Sequence, residues 1–310
     1  MLAAADRDGS RFGWRAWLAL GAGAAWFGAA HAACPPEGRD KAALVALAGS
    51  GFEVADDAER KQLALGLLDC LADPDPVLRD EVAFEAWSAW LRGKKLDEAA
   101  RRAALDTLLP RLSAPDPRGF AAPFAALTLA EVARTDRIEP WLDGKQRAAL
   151  VEAAAEYLSG VRDYRGFDER DGWRHGVAHG SDFALQLALN PALDRPALDR
   201  LLAAVASQVV PRGGHFYIYG EPERLAAPVL YIGKRALHDA EDWRKWFAAL
   251  ADPKPLASWR DAFKSQAGLA KRHDTQAFLL ALYANLREGG DAALAERMLP
   301  GVVEALKAVP

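Results

Sequence analysis

The polar side chains of one short segment, residues 172–191, have the types and the spacing that chemistry requires. On a helical wheel at about 100° per residue they fall within one narrow stripe of an otherwise apolar helix. The members of the stripe are His175, His179, Asp182, Gln186 and Asn190. Because apolar residues fill most of the remaining wheel, we expect the helix to be largely buried. The stripe should then face a groove, a cavity or a polar partner.

Metal binding is the first chemistry that this stripe could perform. Histidines at i and i+4 with an aspartate at i+7, here His175, His179 and Asp182, can converge on one divalent ion such as zinc or manganese. The spacing differs from the His-Glu-x-x-His motif of zinc hydrolases, because Gly-Val-Ala between the histidines supplies no general base. The candidates for a further ligand from across the groove are Glu221, His215 and His273.

Two interpretations without a metal are also open. In a hydrolase working by acid–base catalysis, Asp182 would orient one imidazole while the other exchanges a proton with water near neutral pH. In a binding module, the stripe would form a hydrogen-bonding floor, and Trp173 would anchor a peptide, a glycan or a protein partner. We prefer the binding interpretation, because the grooves of helical repeat proteins usually bind other molecules. The sequence itself assigns no reaction.

The elements that must position the stripe are helices arranged in pairs. From Arg39 onward, apolar residues recur with a helical period, and Pro, Gly and Asp separate the segments. The first helices of successive pairs begin near residues 77, 119, 172, 221 and 274. This spacing predicts an all-α fold, either an irregular HEAT-like α-solenoid or a curved α/α array of helix pairs. The one short segment with an extended pattern is residues 215–219.

The predicted ligand site combines polar residues from several first helices. In a two-layer array, the first helix of each pair commonly lines the concave side, so these residues should share one groove. We also expect residues 256–269 and 274–286 to form two separate helices, with His273 and Asp274 where the second one begins. Asp80 and Glu81 have the corresponding position in an earlier helix. The predicted site residues are Trp173, His175, His179, Asp182, Glu221, Arg224, His273 and Asp274.

The central motif, Gly-Trp-x-His-x-x-Ala-His-x-x-Asp from Gly172, resembles that of an uncharacterised bacterial, all-helical domain-of-unknown-function family. The likeness continues in Glu-x-x-Arg-Leu-Ala from Glu221 and, more weakly, in Arg-Gly-Phe from Arg118. The resemblance marks the Trp, His, Asp, Glu and Arg of the first two motifs as family positions and implies no substrate. The Ala-Ala-Pro that follows Phe120 replaces polar residues of the family, which argues against a role for that segment.

The N-terminal residues 1–32 have the pattern of a secretory signal peptide. Three arginines precede an uncharged apolar run over residues 17–30, and Ala30-His31-Ala32 is an Ala-x-Ala cleavage site. Cleavage would leave residues 33–310 as a single helical domain in the periplasm or outside the cell. The alternatives are an uncleaved N-terminal anchor and a lipoprotein with Cys34 as its lipidated residue.

Composition narrows the classes of partner. The 310 residues carry 43 acidic and 39 basic side chains, for a net charge of −4, and contain no basic run, so nucleic acid is a poor candidate. After the signal, no further segment is long and apolar enough to span a membrane. The only cysteines are Cys34 and Cys70. Export would allow them to form a disulfide, although two unpaired thiols are the alternative.

Overall fold

The chain forms α-helices along nearly its whole described length, residues 34–310, in the computed structural model. The predicted all-α fold class is confirmed. The helices, in chain order, are α1 Lys41–Gly49, α2 Asp57–Cys70, α3 Glu85–Arg92, α4 Glu98–Leu108, α5 Ala121–Ile138, α6 Gly144–Gly160, α7 Gly176–Ala188, α8 Arg195–Ala206, α9 Glu221–Lys234, α10 Ala240–Leu250, α11 Gln266–Glu288 and α12 Ala292–Ala308. A π-helical segment, Val77–Phe84, continues directly into α3, and short 3-10 turns cover Pro110–Leu112, Arg212–Gly214 and Trp259–Lys264.

The aspartates that separate the helices in the sequence cap their N-termini. Each cap has a non-helical backbone and a side chain that accepts a hydrogen bond from a backbone N–H of the first turn, which would otherwise lack a partner. These caps are Asp40, Asp56, Asp97, Asp143, Asp194, Asp239 and Asp291. The aspartates that separate the predicted helices therefore mark helix boundaries because they cap the helix N-termini.

Five helices pack side by side in a row, in which α3 contacts α5, α5 contacts α7, α7 contacts α9, and α9 contacts α11. Outside this row, α2 contacts α4, α6 contacts α8, and α10 contacts α12. Helix α7 is thus the middle member of the row of five, with neighbours on both sides. The HEAT-like curvature of this array stays a prediction.

Helix α7 begins later than predicted, at Gly176. Residues Gly172–Trp173 instead form strand β2, which pairs antiparallel with β1, Phe167–Asp168. The reason is the backbone: Gly172 has φ +72° and His175 has φ +53°, and neither value is compatible with a right-handed helix. His175 therefore lies at the N-cap position, immediately before the first turn of α7. Among the stripe residues, only His179, Asp182 and Gln186 belong to the helix.

Two other segments also differ from expectation. Residues 256–264 are loop and 3-10 turn, whereas α11 runs unbroken from Gln266 to Glu288. The N-cap of α11 is Ser265, whose side chain accepts a hydrogen bond from Gly268 N, so Asp274 lies well inside the helix. Residues 215–219 form no strand and lead irregularly into α9.

A disulfide between Cys34 and Cys70, with Cα atoms 5.0 Å apart, ties the first described residues to the end of α2. The predicted signal peptide and its cleavage site, residues 1–32, lie outside the described residues and stay predictions. Residues 33–310 form one compact unit. No helix within residues 34–310 has the length and apolarity to cross a membrane.

Candidate functional site

Five residues of the predicted site surround one pocket of about 480 Å³. Helix α7 contributes His179 and Asp182, and α9 contributes Arg224. The turn before α7 contributes the two rings of Trp173 and His175. The structure therefore brings together most of what the sequence singled out around the central motif.

The β1–β2 hairpin places Trp173 at the pocket. Its turn is held by Asp168, whose side-chain oxygen accepts hydrogen bonds from the backbone N–H groups of Arg170 and Asp171, both at 2.9 Å. Gly172 must be a glycine, because a Cβ there would lie 2.9 Å from Arg79 Nη2 and its φ is positive. The hairpin is therefore fixed by local sequence as well as by packing.

The left-handed backbone of His175 turns the chain from the hairpin into α7. Its backbone N–H donates to Arg165 O at 3.1 Å, and its ring stacks on Trp173 with centroids 4.7 Å apart and planes inclined by 21°. A non-glycine residue in this conformation costs on the order of 1 to 3 kcal/mol and persists only where its surroundings enforce it. Holding the His175 imidazole at the pocket therefore lowers the stability of the fold.

Both histidines are held neutral. His175 is 8 % exposed and His179 is 6 % exposed. Burial, and then the positive charge of Arg224, lower the pKa of His175 to about 4. Burial also lowers the pKa of His179 well below its usual value, with smaller contributions from His175 and Arg224. Nε2 of His175 and Nδ1 of His179 have no hydrogen-bond partner within the described residues.

Asp182 pairs with Arg224 and not with an imidazole. Arg224 Nε donates to Asp182 Oδ1 at 2.9 Å, and Nη2 contacts Oδ2. Burial raises the pKa of Asp182, and Arg224 only partly offsets this effect. The expected arrangement in which Asp182 orients a histidine is therefore absent from this site.

The opposite wall comes from the π-helical segment, α3 and α5. Asp80 lies in the lining and pairs with the fully buried Arg79, Nε to Oδ1 at 2.6 Å. Burial raises the pKa of Asp80 to about 6, although Arg79 opposes the shift. Arg92 donates two hydrogen bonds, of 2.6 and 3.0 Å, to the carboxylate of Glu131. This wall therefore also presents charges that are already paired.

Glu221 and Asp274 lie behind the pocket rather than in its lining. Glu221 is buried at the start of α9, with Oε1 3.9 Å from His175 Nε2, and its Oε2 accepts a hydrogen bond from Tyr219 N at 2.9 Å. Asp274 Oδ1 accepts from Tyr217 N at 3.0 Å. Burial, and then Glu221, raise the pKa of Asp274 to about 7. By accepting these hydrogen bonds, the two carboxyl groups hold the loop of residues 217–219, which precedes α9.

His273 and Asn190 do not join the site. His273 is exposed on α11, where its ring packs on Phe216 with centroids 5.4 Å apart. Asn190 follows the end of α7 and donates to Asp136 Oδ2 at 2.9 Å in the core. Both differences arise from element boundaries: α11 begins before His273, and α7 ends before Asn190.

Metal binding by His175, His179 and Asp182 stays a prediction. Within residues 34–310, no group of three or more His, Cys, Asp or Glu side chains is arranged to hold an ion. Both oxygens of Asp182 already contact Arg224. The same guanidinium lowers the pKa values of both histidines, and its positive charge would oppose a cation in the same way.

The sequence interpretation missed the contribution of α5. Phe124 and Glu131 line the pocket, and the Phe124 ring packs edge-on against His179 at 5.1 Å. The Pro123 carbonyl accepts a hydrogen bond from the ring of His179, so the Ala-Ala-Pro segment acts through its backbone. Glu131, an acidic residue that follows a run of mostly apolar residues in α5, was the available signal in the sequence.

The Arg-Gly-Phe segment from Arg118 supports the β1–β2 hairpin. The Phe120 ring lies between two guanidinium groups, those of Arg79 at 4.1 Å and Arg174 at 4.4 Å. A Cβ at Gly119 would lie 2.4 Å from Asp163 Oδ2. The segment therefore serves to hold Arg79 and Arg174 in place.

The comparisons with known proteins give a family but no activity. The chain matches no curated protein and no solved structure. The sequence model of the family described as "Protein of unknown function (DUF2785)" matches residues 111–284. The matched region includes the hairpin, α5, α7 and α9 and spans more than half of the 310 residues. The chain therefore belongs to this family of unknown function.

Proposed function

We propose that the pocket binds an uncharged, hydroxyl-rich ligand, namely a saccharide. The observation that carries the proposal is that each ionised group of the lining has an opposite charge beside it. The pairs are Asp80 with Arg79, Glu131 with Arg92, and Asp182 with Arg224. A charged ligand would have to break one of these pairs, whereas hydroxyl groups can donate to carboxylates and accept from guanidinium groups without disturbing them.

The aromatic residues of the lining fit the apolar faces of a sugar ring. Trp173 is 37 % exposed, and Phe84 and Phe124 contribute further apolar surface to the pocket. Ligand pockets characteristically combine such apolar walls with a few fixed polar groups. A peptide or protein partner, the other ligand class considered from the sequence, would more naturally use a long strand edge or a continuous apolar groove.

The unpartnered histidine nitrogens support a polar ligand. A buried polar atom without a partner costs about 1 to 3 kcal/mol, and each of the two histidines contributes one such atom, His175 Nε2 and His179 Nδ1. The left-handed backbone of His175 adds to this cost. Such costs concentrate where function rather than stability determines the residue.

An exported location belongs to the same proposal. The Ala-x-Ala site at Ala30–Ala32 and the disulfide between Cys34 and Cys70 both suit an oxidising compartment. We expect the exported protein to begin at Ala33. Intact-mass measurement of the protein from a periplasmic extract tests this, and a species that keeps residues 1–32 would contradict it.

The test of ligand binding is isothermal titration calorimetry with neutral oligosaccharides. We would titrate the β-1,4-linked oligomers of N-acetylglucosamine and the α-1,4-linked oligomers of glucose into the protein. We expect at least one series to bind and Trp173→Ala and Asp182→Ala each to weaken it at least tenfold. Phe263→Ala is the matched control, because Phe263 is an exposed aromatic residue outside the pocket lining. Failure of both series to bind, or equal binding by all variants, would refute the proposal.

Hydrolysis of the bound saccharide is the second candidate function, and Asp80 is the residue that favours it. A carboxyl group with a pKa of about 6 is partly protonated near neutral pH and suits a general acid. The lining also holds the carboxylates of Glu131 and Asp182, and glycoside cleavage typically uses two carboxyl groups. Release of reducing ends from the tetrasaccharides by the wild type, but not by Asp80→Asn, would establish it.

A further inference from the structure

Trp173 lines the pocket, and its ring contacts those of Phe167 and Tyr219, which line a second cavity of about 430 Å³. We propose that this cavity is a second saccharide subsite, so that the ligand is an oligosaccharide that passes over Trp173 from one cavity to the other. The inference rests on the proposed function and adds the length of the ligand and the place where it leaves the pocket. The residues that would form the second subsite are Tyr164, Phe167, His215, Ile218 and Tyr219.

The hairpin register places two aromatic rings side by side. Phe167 lies directly opposite Trp173 across the strand pair, and residues in this relation project to the same face. Their ring centroids are 5.1 Å apart. Phe167 is 45 % exposed, so the aromatic surface that begins with Trp173 in the pocket continues outward without a polar interruption.

Tyr219 extends this surface on its other side. Its ring meets that of Trp173 edge-on with centroids 5.9 Å apart. It also lies directly against the backbone of Gly166, where a Cβ would come within 2.0 Å of Tyr219 Cδ2. Close packing on a glycine fixes the ring in place. Ile218, in the lining of the same cavity, is 70 % exposed and adds apolar surface to it.

The floor of the cavity adds a stacked pair of rings. The rings of Tyr164 and His215 stack with centroids 5.3 Å apart and an angle of 20° between their planes. The Tyr164 hydroxyl accepts a hydrogen bond from Arg212 N at 3.0 Å. The stacking and this hydrogen bond therefore hold the rings of Tyr164 and His215 in the lining of the cavity.

The charges around this cavity follow the same rule as those of the pocket. Arg165 pairs with Asp163, and Arg174 pairs with Asp171. The remaining carboxylate, Asp168, is occupied by the backbone N–H groups of its own turn. Among the described residues of the two linings, the exposed Asp168 is the exception, since it has no cationic partner, and its carboxylate can accept hydrogen bonds from sugar hydroxyl groups. The aromatic residues connect the two cavities. A single neutral chain of sugar rings has the chemistry that both cavities share.

The experiment measures affinity as a function of oligosaccharide length. The wild type is titrated with the same two series from disaccharide to hexasaccharide, and we expect affinity to rise about tenfold once the chain is long enough to cover both cavities. Phe167→Ala should remove this rise and leave disaccharide binding unchanged. Gly166→Ala, whose new methyl group displaces Tyr219, should act in the same direction. Phe263→Ala is again the control, and thermal melting verifies that each variant is folded.

The outcomes separate the two proposals. Binding by short and long oligomers with equal affinity would overturn the second subsite and leave the pocket intact. So would a Phe167→Ala variant that retains the full rise with length. If neither series binds but a proline-rich peptide binds with loss in both Trp173→Ala and Phe167→Ala, the ligand is a peptide and both saccharide proposals fail.

Discussion

Asp136 and Asp182 lie in adjacent helices, and each is paired with an arginine, yet their surroundings differ sharply. Asp136 accepts hydrogen bonds from two backbone N–H groups, from Arg147 and from Asn190. Among the described residues, Asp182 accepts hydrogen bonds only from Arg224. Burial by itself would raise the pKa of Asp136, but its hydrogen bonds hold the value below the usual range. The pKa of Asp182 is raised, because burial outweighs its single partner.

The difference distinguishes a fully hydrogen-bonded network from a set of sparsely bonded polar groups along one helix. Asn190 and Asp182 fall on the same stripe in the sequence, but Asn190 completes a fully bonded cluster at the end of α7. Nearer the start of the helix, the carboxylate has few partners and the histidines keep unpaired nitrogens. A buried polar group that lacks partners destabilises the fold. The two ends of α7 therefore differ in how completely their polar groups are hydrogen-bonded.

Truncation of Asp136 should have the largest effect on stability. In Asp136→Ala, the Arg147 guanidinium, the Asn190 amide and two backbone N–H groups lose their common acceptor. We expect a loss of about 3 to 5 kcal/mol in the free energy of unfolding, or a melting temperature lower by on the order of 10 °C. Thermal unfolding followed by circular dichroism measures this. A change of only a degree or two would contradict the structural role of the network.

Asp274 is an intermediate case that pH can distinguish. Its side chain has one hydrogen bond, from Tyr217 N, and burial raises its pKa to about 7. The folded state therefore keeps a proton that the unfolded state loses near pH 4. As pH rises from 4 to 7, the free energy of unfolding of the wild type should fall relative to that of Asp274→Asn, which does not titrate. We expect the difference to change by about 1 to 4 kcal/mol.

The measurement is the melting temperature of both proteins from pH 4.5 to 8.5. Glu221 and His175 also lie near this site and are present in both proteins, so the difference mainly reports the titration of Asp274. Asn keeps the oxygen that accepts from Tyr217 N. A difference that stays constant over the whole range would show that the buried carboxyl group does not change its charge there.

The sequence predicted the helices well, because helix formation depends on local patterns. Aspartate caps and helical periodicity determined most element boundaries. The helical wheel correctly placed His179 and Asp182 on one face of α7. It failed for His175, because the left-handed backbone there accompanies hydrogen bonds from His175 N to Arg165 O and from Arg174 N to Gly166 O. The wheel does not include these bonds.

The remaining features depend on contacts between distant segments. The pairing of Asp182 with Arg224, and of Glu131 with Arg92, joins residues about 40 positions apart. The hydrogen-bond partners of these polar groups could therefore be identified only from the packing of α3, α5, α7 and α9. For the same reason, His273 was assigned to the groove although it lies on another face of α11.

Truncation of Asp182 should have the smallest effect on stability, and it tests the comparison directly. Burial raises the pKa of this carboxylate, so its removal relieves a desolvation cost while it breaks the ion pair. Arg224 is 42 % exposed and can be solvated when its partner is lost. We therefore expect Asp182→Ala to change the free energy of unfolding by less than about 1 kcal/mol, or the melting temperature by about 2 to 4 °C, while saccharide binding is lost. If Asp182→Ala instead melts as low as Asp136→Ala, the two carboxylates have the same structural role, and the pocket residues hold the helices together rather than bind a ligand.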